Sequence, residues 1–151
     1  MLASVGAVEN QMCAMQFHMT DAKKILASVA KITEAGNDVQ FGKNPEDNYI
    51  KCRRTGRKVF MEKEGNIYVL SVKVKVGGSM RKCKLIVDSG AAENVMPREL
   101  FPETETLERK KGVRFFAANG EEIGNYGRKV IQFVPFNEDN GKEQVFRGQA
   151  R

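Results

Sequence analysis

Short β-rich segments separated by glycine turns run through most of this chain, and they restrict its fold more than any other feature. Val, Ile, Phe and Tyr dominate these segments, and such residues favour strands. Gly56, Gly65 and the pair Gly77-Gly78 supply turns between them. The pattern predicts an all-β protein of about eight to ten strands, a small barrel or sandwich. The strands are predicted over residues 39–41, 48–52, 58–62, 67–76, 80–87, 94–96, 113–118 and 128–136.

One segment has the periodicity of a helix. Thr20 or Asp21 can cap its start, and Gly36 supplies a stop at its end. We therefore expect one α-helix over residues 20–35, packed on the core by its apolar face. The residues that share this face are Ile25, Leu26, Val29 and Ile32.

The chain has the length and composition of one ordinary domain. Of its 151 residues, 41% are hydrophobic and 29% charged. No apolar run reaches the roughly 18 residues that read as a membrane-spanning helix. Residues 1–8 lack the basic start of a secretory signal, and the widely spaced Cys13, Cys52 and Cys83 fit thiols in a reducing compartment. We therefore expect a single domain over residues 1–151 of an intracellular, cytoplasmic protein with no membrane partner.

Metal and cofactor chemistry have little support in the sequence. There is no Cys-x-x-Cys, no histidine pair and no acidic calcium loop. The lone histidine, His18, has no identifiable triad partners, so we expect it to serve packing. We predict no metal and no cofactor.

Residues 84–97, KLIVDSGAAENVMP, place an acid, a hydroxyl and a glycine between two apolar runs. An isolated Asp-Ser-Gly triplet is usually a turn, because Asp and Ser bond nearby backbone and Gly tolerates positive φ. Here the triplet follows a strand-like run, and the apolar pattern resumes at Val95. We therefore expect the turn to lie against the core, where the Asp88 carboxylate needs fixed hydrogen bonds.

This segment resembles the active-site loop of the retropepsin-like aspartic proteases of retroviruses and retrotransposons. Their motif is an apolar strand, Asp-Thr/Ser-Gly-Ala and a further apolar segment, which residues 85–87, 88–91 and 95–96 match. Residues 113–133 resemble the hairpin that folds over substrate as a flap, and Asn119-Gly120 suits a type I′ turn. The resemblance implies a small closed barrel with one packed α-helix.

The order of the segments departs from the family, since the helix there follows the catalytic loop. Two explanations stay open. In a circularly permuted domain, residues 12–76 correspond to the family's C-terminal part and residues 77–136 to its catalytic part and flap, joined by a Gly77-Gly78 turn. Alternatively, the fragment joins the end of one unit to the start of the next. In either case, residues 137–151 form a loop, an edge strand or a tail.

The resemblance implies an endopeptidase that cleaves a peptide or polyprotein. Aspartic proteolysis needs two adjacent carboxylates, and the chain holds one Asp-Ser-Gly triplet, so the dyad requires a homodimer. The implied catalytic residues are Asp88, Ser89 and Gly90, and the implied substrate-binding residues are Ala91, Asn119, Gly120 and Ile123.

Two other functions remain open. The first is a catalytically inactive, protease-like domain from a retrotransposon remnant that dimerises or binds peptides. The second is a basic RNA-binding module, suggested by the net charge of +6. Its basic clusters, residues 52–58 and 108–114, lack the interleaved aromatics of a base-stacking surface.

Overall fold

The protein is all-β, with a closed six-stranded barrel and one short helix, as the sequence predicts. A computed structural model describes residues 12–144. The predictions for residues 1–8, and for the part of the 137–151 segment after residue 144, lie outside the described residues. The twelve strands are β1 (Cys13–Thr20), β2 (Leu26–Ser28), β3 (Asn37–Gln40), β4 (Tyr49–Cys52), β5 (Lys58–Phe60), β6 (Glu62–Glu64), β7 (Ile67–Val76), β8 (Ser79–Asp88), β9 (Val95–Pro97), β10 (Phe115–Phe116), β11 (Glu122–Ile123) and β12 (Asn125–Pro135).

The barrel closes through β12, which pairs with β1 on one side and with β7 on the other. Around the ring the order is β12-β1-β9-β2-β8-β7, and β6 extends the sheet from β7. Large side chains fill the interior, and Phe17, Leu70, Leu85, Met96 and Phe133 are each at most 1% exposed. A core of this kind stabilises the ring by removing apolar surface from water.

Neighbouring strands of the barrel come alternately from the two parts of the chain that the sequence distinguishes. Residues 12–76 supply β1, β2 and β7, and residues 77–136 supply β8, β9 and β12. Each of the six strand pairs in the ring therefore joins one part to the other. Neither part contains two neighbouring barrel strands, so neither holds a sheet of the barrel by itself.

The strands β7 and β8 form a long antiparallel ribbon with a two-residue turn. Val76 pairs with Ser79, which leaves Gly77 and Gly78 in the turn, as predicted. Gly77 has a φ of 59°, and the first central residue of a type II′ hairpin turn requires a positive value.

The predicted helix over residues 20–35 is wrong at its start, because the helix α1 spans only Val29–Glu34. The preceding β2 pairs in parallel with the end of β8, and Ile86 N donates to Ile25 O at 2.9 Å. Pairing within the barrel thus overrides the helical periodicity. Ser28 caps the helix, since its side chain accepts a hydrogen bond from Lys31 N. The stop at Gly36 is confirmed, and its φ is 103°.

A second sheet of three strands, β3-β4-β5, follows the helix. After β12, the chain turns back, and Phe136 bridges Glu143 in an antiparallel pair. The Gln144 side chain then bonds both backbone groups of Phe60, with Phe60 N donating to its Oε1 at 2.7 Å. Residues 137–144 therefore form a loop that is attached to the second sheet.

No disulfide joins the three cysteines, all of which lie among the described residues. In the same part of the chain, no helix is long and apolar enough to cross a membrane.

Candidate active site

Asp88 is the last residue of β8 and therefore lies at the end of a barrel strand. Its strand alternates in burial, with Leu85 and Val87 buried, while Asp88 is half-buried. Gly90 N donates to Asp88 Oδ1 at 2.8 Å. The carboxylate thus has one of the fixed hydrogen bonds that the sequence leads us to expect. Ser89 and Gly90 are exposed, however, so the prediction that the turn lies against the core is wrong.

The loop after Asp88 is fixed by a serine from a distant part of the chain. Ser28 lies opposite Asp88 in parallel register, and Ser28 Oγ donates to Ala91 O at 2.7 Å. The same oxygen accepts from Lys31 N at 3.2 Å, so it caps the helix as well. The start of α1 therefore packs against the loop of its own chain.

Asn94 holds the far end of the loop. Its Oδ1 accepts from Ser28 N at 2.7 Å, and its Nδ2 donates to Gln16 O at 3.0 Å. Asn94 is 7% exposed, and a buried amide that is bonded on both sides fixes the backbone around it. Its backbone O also accepts from His18 N at 2.9 Å.

The sequence did not single out Ser28 or Asn94. Ser28 matches the preference for serine immediately before a helix, which could have indicated the true start of α1. Asn94 stands before a buried strand but has no local signal for its role. The bonds that tie these residues to the loop and to β1, from Ser28 Oγ to Ala91 O, from Ser28 N to Asn94 Oδ1 and from Asn94 Nδ2 to Gln16 O, each join residues more than sixty positions apart in sequence.

An apolar surface adjoins Asp88 and Ser89. Phe41 and Ile67 are each 37% exposed, and the Phe41 ring lies 4.5 Å from the ring of Tyr68 between centroids. Together with Asn66, Ile86 and Val87, these residues line a cavity of about 320 Å³. An exposed group of large apolar side chains commonly marks a contact surface.

Within the segment predicted as a flap, residues 113–133, the strands β10 and β11 form a hairpin, whereas residues 125–133 belong to the barrel strand β12. The turn of this hairpin differs from the predicted type I′, which requires positive φ at both central residues. Gly120 has a φ of 89°, but Asn119 is not in the left-handed region. Gly120 N donates to Ala117 O at 2.9 Å, and the Asn119 side chain bonds Glu121 N at 2.9 Å. The Asn119 side chain is therefore hydrogen-bonded within the turn itself.

The structure groups the predicted site residues in two places. Asp88, Ser89, Gly90 and Ala91 form one loop, while the hairpin carries Asn119, Gly120 and Ile123. Among the described residues that line the cavity beside Asp88, none belongs to the hairpin. Ile123 lines a different cavity, of about 370 Å³, with Arg114 and neighbouring residues.

His18 is buried behind the loop, as a packing role predicts. It is 3% exposed, its ring lies 5.2 Å from that of Phe115, and Nε2 is 3.3 Å from Glu93 Oε1. Burial lowers the pKa of His18, although the Glu93 carboxylate acts in the opposite direction. No group of three or more metal-ligating side chains is present within residues 12–144.

No protein-family model, curated protein or solved structure matches this chain. The geometry of the site is therefore the basis for inferring a function.

Proposed function

We propose that the protein is a retropepsin-like aspartic endopeptidase whose site forms between two copies of the chain, each supplying Asp88. The observation that carries this proposal is the Asp-Ser-Gly turn at the end of β8, fixed from behind by Ser28 of the same chain. A catalytic carboxylate needs such a rigid backbone support.

The paired carboxylates share one proton, because two like charges in contact cannot both ionise. The ionised Asp88 takes a proton from water as the water oxygen adds to the peptide carbonyl carbon, and the protonated Asp88 donates its proton to the carbonyl oxygen. The C–N bond then breaks as the newly protonated Asp88 gives its proton to the leaving nitrogen and the other Asp88 takes a proton back from the diol. Ser89 and Gly90 bring the two loops together, while Ala91 leaves room for the substrate. The hairpin with Asn119, Gly120 and Ile123 covers the bound peptide.

Two surface features support a homodimer. The exposed Phe41 and Ile67 lie beside Asp88, so a second copy placed there would cover apolar surface as it completed the dyad. Phe41 also follows β3 directly, and β3 is one of the two edge strands of its sheet within residues 12–144. An edge strand can pair with its equivalent in a second chain.

The alternation of barrel strands supports a permuted unit over a fragment of two units. The two parts of the chain, residues 12–76 and 77–136, supply neighbouring strands at every position in the ring. A fragment that straddled two units would leave each part without its partner strands.

The test is cleavage of an unfolded protein substrate at mildly acidic pH, with the dimer followed by sedimentation. Asp88→Asn should abolish cleavage and leave the sedimentation of the dimer unchanged, because the amide cannot act as the base. Asp139→Asn, which changes an exposed acid on another loop, is the matched control and should retain activity. Cleavage by Asp88→Asn would refute the proposal. A wild-type protein that is monomeric and inactive at high micromolar concentration would favour the noncatalytic alternative.

A further inference from the structure

Asp21 connects the loop between β1 and β2 to the base of the β10–β11 hairpin. Gly124 N donates to Asp21 Oδ2 at 2.8 Å, and Tyr126 Oη donates to Asp21 Oδ1 at 3.0 Å. Gly124 follows β11 directly. One carboxylate thus bonds two groups of the segment through which the hairpin returns to the barrel.

Tyr126 reaches Asp21 because Gly124 has no side chain. A Cβ at Gly124 would lie 2.3 Å from Tyr126 Oη and 2.4 Å from its Cζ. The ring therefore folds back over Gly124 and occupies the place of a side chain. A residue with Cβ would displace the ring and separate its hydroxyl from the carboxylate.

Arg98 contacts Tyr126 and so joins Asp21, Gly124 and Tyr126 in one cluster of interacting residues. Its guanidinium lies 4.3 Å from the centre of the Tyr126 ring, a cation–π contact. Arg98 N also donates to Thr20 O at 3.1 Å, immediately before Asp21. The cluster thus joins the loop after β1, the residue after β9 and the base of the hairpin.

The protonation of Asp21 agrees with this geometry. The Gly124 N–H and then the Tyr126 hydroxyl hold the pKa of Asp21 below its ordinary value. The same bond raises the pKa of Tyr126, because the hydroxyl proton is held by the carboxylate. At mildly acidic pH, Asp21 is therefore the acceptor and Tyr126 the donor.

Other contacts of the hairpin lie on its β10 side. The Phe115 ring packs on His18 at 5.2 Å, and Asn125 Nδ2 donates to Val113 O at 3.3 Å. The bond from Gly124 to Asp21 attaches the opposite, β11 side. The hairpin is thus held to the barrel at both of its ends.

We propose that Asp21 is a positioning residue that holds the β10–β11 hairpin against the barrel through Gly124 and Tyr126, and so prepares it to cover a bound peptide. The role in peptide binding rests on the proposed function. The attachment itself is a property of the fold.

Amide hydrogen exchange measured by NMR tests the attachment without any activity. In Asp21→Ala the amides of residues 115–124 should exchange about three- to tenfold faster, because an exposed charge-assisted bond is lost. Tyr126→Phe keeps the ring and should give a smaller increase. Asp21→Asn should stay close to wild type, because its oxygen still accepts from Gly124 N. The matched control is Glu46→Ala, which removes an exposed acid from the turn before β4.

Faster exchange that is confined to the hairpin would support the proposal, with barrel amides unchanged. Unchanged hairpin exchange in Asp21→Ala would overturn it. If Asp21→Ala accelerates exchange everywhere, Tyr126→Phe decides: a local increase supports the role of Asp21, and none refutes it.

Kinetics separate positioning from a purely structural effect. In Asp21→Ala, KM for a peptide should rise about threefold or more with kcat within twofold, because the hairpin closes less readily on substrate. Asp21→Asn should restore KM. A fall in kcat alone would show only a smaller folded fraction and would count against positioning. An inactive wild type would refute the proposed function, while the exchange experiment would still decide the attachment.

Discussion

Ser28 and Asp88 lie directly opposite each other in two parallel strands, and the Ser28 hydroxyl donates to the carbonyl of Ala91 three residues beyond Asp88. The same hydroxyl oxygen caps the only α-helix in residues 12–144. One buried side chain therefore links the helix start to the candidate catalytic loop.

Ser28→Ala should lower the free energy of unfolding by about 1–2 kcal/mol, because the helix loses its cap and the Ala91 carbonyl loses a donor. Urea titration with a constant m-value would measure this loss. Ser79→Ala is the control, since the Ser79 hydroxyl also donates to a carbonyl, Val76 O at 3.1 Å, but Ser79 is exposed at the start of β8. Equal losses in the two variants would contradict a special role for Ser28.

Ile67→Lys should weaken self-association of the protein at least about fivefold, because each dimer would bury two added charges in the surface beside Asp88. Sedimentation equilibrium measures the dissociation constant. Met80→Lys is the matched control, because Met80 is 47% exposed at the far end of the β7–β8 ribbon. If both variants dimerise like wild type, the contact surface lies elsewhere.

His18 should make folding stability depend on pH in a defined window. Its Nδ1 is buried with no hydrogen-bond partner among the described residues, so the protonated ring would carry an unsatisfied donor. Burial lowers its pKa, Glu93 raises it, and Arg128 and Lys110 lower it further.

Because the folded pKa lies below the unfolded value of 6.5, the unfolded state binds more protons in this range. Stability from His18 is therefore complete above pH 6.5 and is lost as the pH falls toward the folded pKa. Urea titrations from about pH 7.5 to 5 should show this decline in the wild type and a smaller one in His18→Gln. His18 is the only histidine in the sequence. If the free energy of unfolding depended on pH equally in the wild type and in His18→Gln, the pH dependence could not be assigned to His18.

Lys129 should contribute more to the free energy of unfolding than an ordinary surface lysine does. It is 2% exposed, and Nζ donates to Phe101 O at 2.6 Å and to Leu100 O at 3.3 Å. Phe101 has a φ of 54°, the only positive value of a non-glycine residue within residues 12–144. Lys129→Met should lower the free energy of unfolding by about 1–3 kcal/mol, because both carbonyls lose a donor. Lys51→Met on β4, measured by the same titration, should change it by less than about 0.5 kcal/mol.

Local patterns predicted the β7–β8 ribbon and a turn at residues 88–91, but not the contacts that fix this turn. The Gly77-Gly78 turn lies between two strands that pair with each other, so residues close in sequence are enough to predict the ribbon. The helical periodicity alone placed the start of α1 too early, because Leu26–Ser28 pairs with β8 about sixty residues later. The helical periodicity there is real, but strand pairing outweighs it.

The strand β1 and the type of turn in the β10–β11 hairpin also could not be predicted from neighbouring residues alone. Cys13–Thr20 includes Gln16 and His18, which weaken a strand signal, and its partners β9 and β12 are remote in sequence. The Asn119-Gly120 pair suits more than one kind of turn, and only the observed φ values distinguish them. The sequence motif was enough to single out Asp88. The contacts of Ser28 and Asn94 form only in the folded barrel, so no local pattern indicates them.

The alternation of strands around the barrel has a consequence for how the chain acquires its fold during synthesis. Cys13 near the start of β1 pairs with Phe133 near the end of β12, so the ring cannot close until almost the whole described chain has left the ribosome. The pairing of β7 with β8 joins residues close in sequence and can form early, whereas β1 must wait for both of its neighbours, β9 and β12. Such high contact order makes ring closure the slow, late step of folding.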